Sequence, residues 1–487
     1  MIESSQPSNL LPDSDPDSQR ELQFSPILTA FCLMVCVCAF AWFQWNASSP
    51  EVDNESVTVS RDLERIANRL LGFESRLSDL PAFEQAMFRL WEEDGDTQQQ
   101  LRLWYAELPQ ERRNPLDELY IGILHGEAEL RSDLMDLITV WTSEIPPYPT
   151  FRRFLQAGYL ETDPVNGDYD VLQAQLAEEV PANWFYFQLA RRLASRFGDE
   201  ALRENLDRQF QQLTDQQLWK WRGLFIFELS LGGIGLICLV YVRGMRVKNR
   251  MFQGAGIFNQ RPTPWSFNEG LALLVRGGAL SIFLIVILAV VPYGVTILEG
   301  YGFLLLYLPT VLLASVWLCQ SKNPSLLEVL GCKNLFNRFR SSLPILMSVI
   351  ALGLIGDWLI ILGGVAFEIS VHWTEWFVPQ LVWGSQAELL KTAIEVAVAA
   401  PIFEELIFRG IVFSTLRAKF GFTASMIGSA MIFALAHGYG PIAFLAVFWS
   451  GLLWAWLYER TGSVIPGMCA HAVNNGLVVY FLVAVFR

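Results

Sequence analysis

Residues 396–416 read VAVAAPIFEELIFRGIVFSTL, an apolar helical run that carries Glu404, Glu405 and Arg409 within it. Charges at membrane depth are costly. Mild insertion scales put each at about 2.5–3.5 kcal/mol at a helix centre. Glu405 and Arg409 are four residues apart, share a helix face and can neutralise each other as a supporting pair. Glu404 is turned about 100° away and has no such partner on its own helix. Intramembrane ionisable residues usually mark a functional site, so Glu404 is the first candidate.

Two histidines join it. The chain has His125, His372, His437 and His471, and the last two lie in apolar segments downstream of the glutamates. His437 closes Phe433-Ala-Leu-Ala-His437, and His471 opens His471-Ala-Val-Asn-Asn475. A lone histidine on an apolar helix is commonly a satisfied core residue. Here the spacing argues otherwise. With a helix break at about Phe420-Gly421, Glu404 and His437 fall at nearly equal depth in an antiparallel hairpin. His471 and Asn475 are four apart on one face of one helix. One offset is unresolved at this level. His471 is roughly 12 Å of helix past its turn at Thr461-Gly462-Ser463, whereas Glu404 is roughly 24 Å from its own. The first hairpin must protrude further, or the helices must tilt.

Taken in order, Glu404-Glu405-x-x-x-Arg409, Phe433-x-x-x-His437 and His471-x-x-x-Asn475 resemble the three motifs of the CAAX protease and bacteriocin-processing (CPBP) family of intramembrane peptidases, over about residues 390–487. The resemblance implies a membrane-embedded endopeptidase with Glu404, His437, His471 and Asn475 as site residues. The chemistry agrees. A carboxylate held away from water exchanges protons nearer neutrality and can serve as base. His437 can hold the same water and share its proton. His471 and Asn475 bring N–H donors suited to an oxyanion. Glu405 and Arg409 are then supporting, since arginine cannot act as a base. No cofactor is expected. Zinc is the rival, with Glu404, His437 and His471 as ligands, but these lie on three helices without the close histidine pair of HExxH.

Composition frames the rest. A 487-residue chain with 52% hydrophobic residues, 17 Trp and 34 Phe is an integral membrane protein in contact with the bilayer. The net charge of −14 is not spread evenly: residues 46–222, with about 32 acids and about 18 bases, account for nearly all of it. Such an acidic surface argues against nucleic acid and anionic lipid as partners of that segment. No cysteine lies between 39 and 237, and no zinc-type spacing appears.

The expected architecture is an all-α, polytopic bundle of about 8–9 transmembrane helices, with a soluble helical domain inserted after the first anchor. Residues 1–24 are a polar tail expected to be disordered. Residues 25–45 are an anchor, retained because acids rather than a basic region precede it. The acidic domain 46–222 repeats apolar residues at three- and four-residue steps, broken near Pro146-Pro147 and Pro164-Val-Asn-Gly167. Membrane helices occupy 223–386, and the catalytic core 387–487. Asp357 is a further intramembrane charge. The short loop after 242 holds Arg243, Arg246, Lys248, Arg250 and Arg261, and the loop 320–342 holds Lys322, Lys333, Arg338 and Arg340, whereas 292–301 and 366–386 have no Lys or Arg. The positive-inside rule then puts the N-terminus in the cytoplasm and 46–222 outside, where it meets an exoplasmic partner or covers the far mouth of the bundle. His372, in an outer amphipathic segment, reads as a surface residue. The peptide or membrane-protein substrate is not legible. A non-proteolytic scaffold for immunity or sorting, retaining the fold, is the alternative reading. A transporter would show inverted repeats, which are not seen.

Overall fold

A computed structural model describes residues 25–47, 56–85, 97–109, 113–141, 146–160, 169–248, 265–321, 330–331 and 335–487. The tail 1–24 and the break at 164–167 lie outside them. Helices account for the architecture, and no strand occurs among the described residues. Helix α1 (Pro26–Ala47) is the anchor. A domain of short helices follows: α2 (Ser56–Glu74), α3 (Thr97–Glu107), α4 (Pro115–Glu127), α5 (Arg131–Val140), α6 (Tyr148–Leu155), α7 (Tyr169–Glu179) and α8 (Trp184–Phe197). Its core is aromatic, with Tyr120 stacked on Phe185 at 4.0 Å between ring centroids. Several polar groups inside it are paired. Ser60 donates to the buried Asp117 carboxylate at 2.6 Å, and the Asn183 amide donates to the Tyr120 hydroxyl at 2.9 Å. Burial still holds the Asp117 carboxyl above the ordinary range, against the lowering effect of its Ser60 and Asn114 hydrogen bonds.

Helix α9 (Glu200–Lys248) runs unbroken from the domain into the membrane part. It is followed by α10 (Phe267–Val290), α11 (Gly294–Ser321), α12 (Leu335–Ala366), a broken helical run α13 (386–417), α14 (Phe422–Leu435), α15 (Pro441–Thr461) and α16 (Ile465–Phe481). Among the described residues, seven helices are long and apolar enough to cross a membrane; α14 is a shorter apolar helix. With α13 these make up the expected bundle. The basic run Arg243, Arg246 and Lys248, expected in a loop, continues α9 instead. Small residues let the helices close. An added Cβ at Gly235 of α9 would stand 2.3 Å from the Met347 carbonyl oxygen of α12. Lower in the same pair, Phe225 stacks on Trp358.

The chain crosses back and forth, so helix ends fall on two faces. One face holds the helical domain, residues 366–386, the 436–440 turn and the C-terminus. The other holds the α13–α14 and α15–α16 turns. The domain does not stand apart from the membrane part. Trp373, Phe377, Leu381 and Val382 of the 366–386 segment, and Leu482, Val485 and Phe486 at the C-terminus, are buried in one continuous core with it. The Trp383 indole donates to Asp62, with the Arg61 and Arg65 guanidinium groups over its ring at 4.4 and 4.5 Å. His372, expected on the surface, faces Glu107 of α3 at 2.9 Å.

Candidate active site

Helix α13 supplies the carboxylates, and its irregularity matters. Ser385 and Glu388 form a capping box that starts it. Its α-helical stretches Gln386–Ile394, Ala400–Glu404 and Ser414–Arg417 are separated by π-helical turns at Glu395–Ala399 and Glu405–Phe413. Such turns are rare, and they concentrate at functional sites. A π turn winds i→i+5, so it advances less per residue than an α-helix. Nine residues of it below Glu404 shorten the climb from the α13–α14 turn and reduce the depth offset with His471.

Glu405 and Arg409 form the supporting pair. The guanidinium Nη1 donates to Glu405 Oε1 at 2.7 Å, Nη2 donates to the Gly451 carbonyl at 3.1 Å, and both residues are completely buried. The guanidinium also lies over the Phe433 ring at 4.5 Å and the Trp454 ring at 5.1 Å. Arg409 thus ties α13 to α14 and α15. Gly467 of α16 lets that helix close on the pair, since a Cβ there would be 2.7 Å from Glu405 Oε2.

Glu404 faces elsewhere. It is 7% exposed, and its Oε1 accepts a 2.9 Å hydrogen bond from the Tyr307 hydroxyl of α11. Its Oε2 lies 3.6 Å from His471 Nε2, while His471 Nδ1 is 3.4 Å from Glu405 Oε1. The imidazole of His471 therefore lies between the two motif carboxylates. Its plane is set by stacking on Trp454 at 4.0 Å and 21°, with Phe433 edge-on at 5.9 Å.

His437 lies just past the end of α14, in the turn toward the helical domain. Its Nδ1 is 2.8 Å from the Phe433 carbonyl oxygen. A carbonyl can only accept, so Nδ1 carries the proton and Nε2 keeps its lone pair in the neutral ring. The ring packs against Phe433 at 4.8 Å and beside Tyr439 at 5.4 Å. Phe433 thus contacts both histidines. Asn475 is placed differently from the other candidates: its Nδ2 donates to the Val396 carbonyl at 2.9 Å, in the π turn before Glu404. That bond joins α16 to α13 and occupies one of the two amide hydrogens.

Tyr307 escaped sequence reasoning. The signal was a hydroxyl inside the apolar run Leu304-Leu-Leu-Tyr307-Leu-Pro309, where a buried phenol requires a partner. Trp454 was also missed, being one aromatic among many. Two backbone contacts tie the site to its surroundings. The Gln44 amide of α1 donates to the Leu435 carbonyl at 2.6 Å, and Glu375 Oε2 accepts from the Gly440 N–H at 3.0 Å. The second of these connects the His437 turn to the 366–386 segment beneath the helical domain.

The zinc alternative was tested on the same side chains. Among the described residues, no group of three or more His, Cys, Asp or Glu is arranged to hold a metal ion. His437 turns Nδ1 to the Phe433 carbonyl, and the two nitrogens of His471 face Glu404 and Glu405.

Residues 386–477 match the family described as Rce1-like, type II CAAX prenyl endopeptidase Rce1-like. The match begins at the first residue of α13 and spans all three motifs, as the resemblance in the sequence indicated. The helical domain and α1–α12 lie outside it. No curated protein and no solved structure matches the chain.

Proposed function

We propose that the protein is an intramembrane endopeptidase of the CAAX-protease type, in which Glu404 is the general base for a water that attacks a peptide carbonyl at the membrane. The observation that carries this reading is the environment of Glu404. It is a buried carboxylate held by one phenol hydroxyl and bordered by His471, while Arg409 is engaged with Glu405. A carboxylate so placed has a fixed direction and a free lone-pair side, which a base needs. His437, with its Nε2 lone pair directed away from Phe433, accepts a hydrogen bond from the same water. As the water attacks, its proton passes to Glu404, the carbonyl becomes an oxyanion, and the single N–H of a neutral His471, turned from its carboxylate, together with the remaining Asn475 amide hydrogen, stabilises that charge. Proton return from Glu404 to the departing amine completes cleavage, and the protein is unchanged. No step requires a metal ion.

In this reading the N-terminus is cytoplasmic and the domain 46–222 is exoplasmic. The His437 turn then faces the domain, which is therefore placed to cover the outer mouth of the bundle. The substrate is a peptide segment in or beside the bilayer. The test is peptide release in proteoliposomes, with a proteomic comparison of cells carrying wild type and Glu404→Gln to find the substrate. Substitution should lower turnover by at least about 10²-fold at an undiminished protein level. Wild-type cleavage by Glu404→Gln would reject the mechanism, and no Glu404-dependent cleavage of any peptide would favour the scaffold reading.

A further inference from the structure

A cavity opens on the face opposite the helical domain. It has a volume of about 430 Å³ and is enclosed by the end of α9 (Tyr241), the start of α12 (Arg340, Ser342) and the α15–α16 turn (Arg460, Thr461, Ser463). Its level follows from where the apolar sequence gives way to charge: at Arg243 in α9, at Arg340 before the apolar run of α12, and at Glu459-Arg460 in α15. The cavity is therefore level with the boundary of the hydrocarbon, where lipid headgroups lie. It is also on the face that receives the basic stretches after 242 and in 320–342.

The lining has one sign of charge. Two guanidinium groups, Arg340 and Arg460, contribute to it, and no carboxylate is among its described lining residues. The nearest acid in sequence, Glu459, is paired with Arg417 at 3.3 Å. Arg460 lies with its guanidinium 5.7 Å from the Trp456 ring, and its buried Nε has no hydrogen-bond partner among the described residues. An N–H of a charged group left so is costly, and an anion would satisfy it. The N-terminus of α16 begins at the same turn and adds the positive end of a helix dipole. Basic pockets between transmembrane helices at the headgroup level have the chemistry for phosphate-bearing lipids.

We propose that this cavity binds a phosphate group, presented by an anionic glycerophospholipid or by a soluble phosphate ester. Arg340 and Arg460 are its ligands, and neither takes part in the Glu404 site, so the proposal stands independently of the catalytic reading. Binding would fasten α9, α12 and the α15–α16 turn together at the membrane boundary.

The test uses the purified full-length chain in neutral detergent and follows its thermal unfolding. Three probes are titrated: phosphatidylglycerol, diacylglycerol with the same acyl chains, and glycerol 1-phosphate. A specific ligand of the folded state raises the midpoint in a saturable way. Phosphatidylglycerol should do so, and diacylglycerol should not. A matching response to glycerol 1-phosphate would assign the site to soluble esters, and its absence would assign it to lipid. The half-saturating concentration should rise at least about tenfold in Arg340→Ala with Arg460→Ala, and less in the corresponding double lysine variant. Because Arg460 also packs on Trp456, Arg340→Ala alone, at an exposed position, is the variant that keeps the test valid if the double variant does not fold. An equal response to diacylglycerol, or wild-type half-saturation in the arginine variants, would overturn the proposal.

Discussion

Arg409 is the largest side chain among those with essentially no exposure, and its environment explains how the membrane part tolerates it. Its charge is met by Glu405, by the Gly451 carbonyl and by two aromatic faces. Removing it strands Glu405, and an unpaired buried charge costs about 3–5 kcal/mol. Arg409→Leu should therefore lower the amount of folded protein before it affects chemistry selectively. Replacing both partners by apolar residues should restore much of that level, measured by detergent-resistant thermal unfolding. An inactive Arg409→Leu that accumulates normally would point to substrate binding instead. Tyr307 makes the opposite kind of contribution. Tyr307→Phe keeps the ring packing against Phe303 and Phe403 and removes only the donor to Glu404. A hydrogen bond to a charged group is worth about 1.5–3 kcal/mol, so turnover should fall about tenfold or more with little change in KM. Loss of folded protein with unchanged turnover would make Tyr307 a structural residue.

Among the elements, α13 and α16 determine whether the site assembles. Their contact depends on Gly467, whose missing side chain leaves room for the Glu405 carboxylate. Gly476, further along the same helix, has nothing within 4 Å of an added Cβ. Gly467→Ala should thus lower the unfolding midpoint and displace His471 from both carboxylates. Gly476→Ala should be neutral or slightly stabilising, since alanine is favoured over glycine in a helix by roughly 0.5–1 kcal/mol. Equal effects at the two positions in an unfolding assay would remove the argument for close approach. The turn that ends α15 has a comparable need. Gly462 is left-handed at φ 61°, and Gly331, at φ 74°, packs directly on the Gly462 carbonyl, with Val464 N–H donating to Leu330.

For the whole molecule, the joint between the helical domain and the 366–386 segment is the feature with most consequence. Asp62 is its polar centre, and burial pushes its carboxyl above the ordinary range despite the Trp383 hydrogen bond and Arg61. A carboxyl raised in the folded state binds its proton more tightly there than in the unfolded chain. Its contribution is thus fully present below the unfolded value and lost as pH rises through the folded one. Relative to Asp62→Asn, wild type should gain stability as pH falls through that window, read from unfolding midpoints across a pH series. A pH-independent difference would show that Asp62 acts through geometry alone. The orientation proposed for the domain has its own test. Ala106→Cys, at an exposed position of α3, should react with an impermeant thiol reagent added outside intact cells. Labelling only after the membrane is opened would reverse the topology.

The primary sequence by itself determined the class of molecule. Apolar runs of spanning length, together with the period of the acidic helices, required an all-α bundle with an inserted domain. This is because hydrocarbon leaves backbone groups no partner but their own helix. The same argument singled out Glu404, Glu405 and Arg409, since a charge at that depth cannot be incidental, and the i,i+4 spacing was enough to pair Glu405 with Arg409. What only the tertiary structure decided is which groups meet across helices. That His471, on a separate helix, stands between both carboxylates is announced by no periodicity. That Tyr307 holds Glu404 joins residues 97 positions apart in sequence. That the domain shares a core with the 366–386 segment and the C-terminus follows from side-chain packing between elements whose own patterns are satisfied either way. Local spacing governs contacts within one helix, because the helix supplies the geometry. Contacts between helices are selected by shape and burial in the assembled bundle, and those are not written in any single segment.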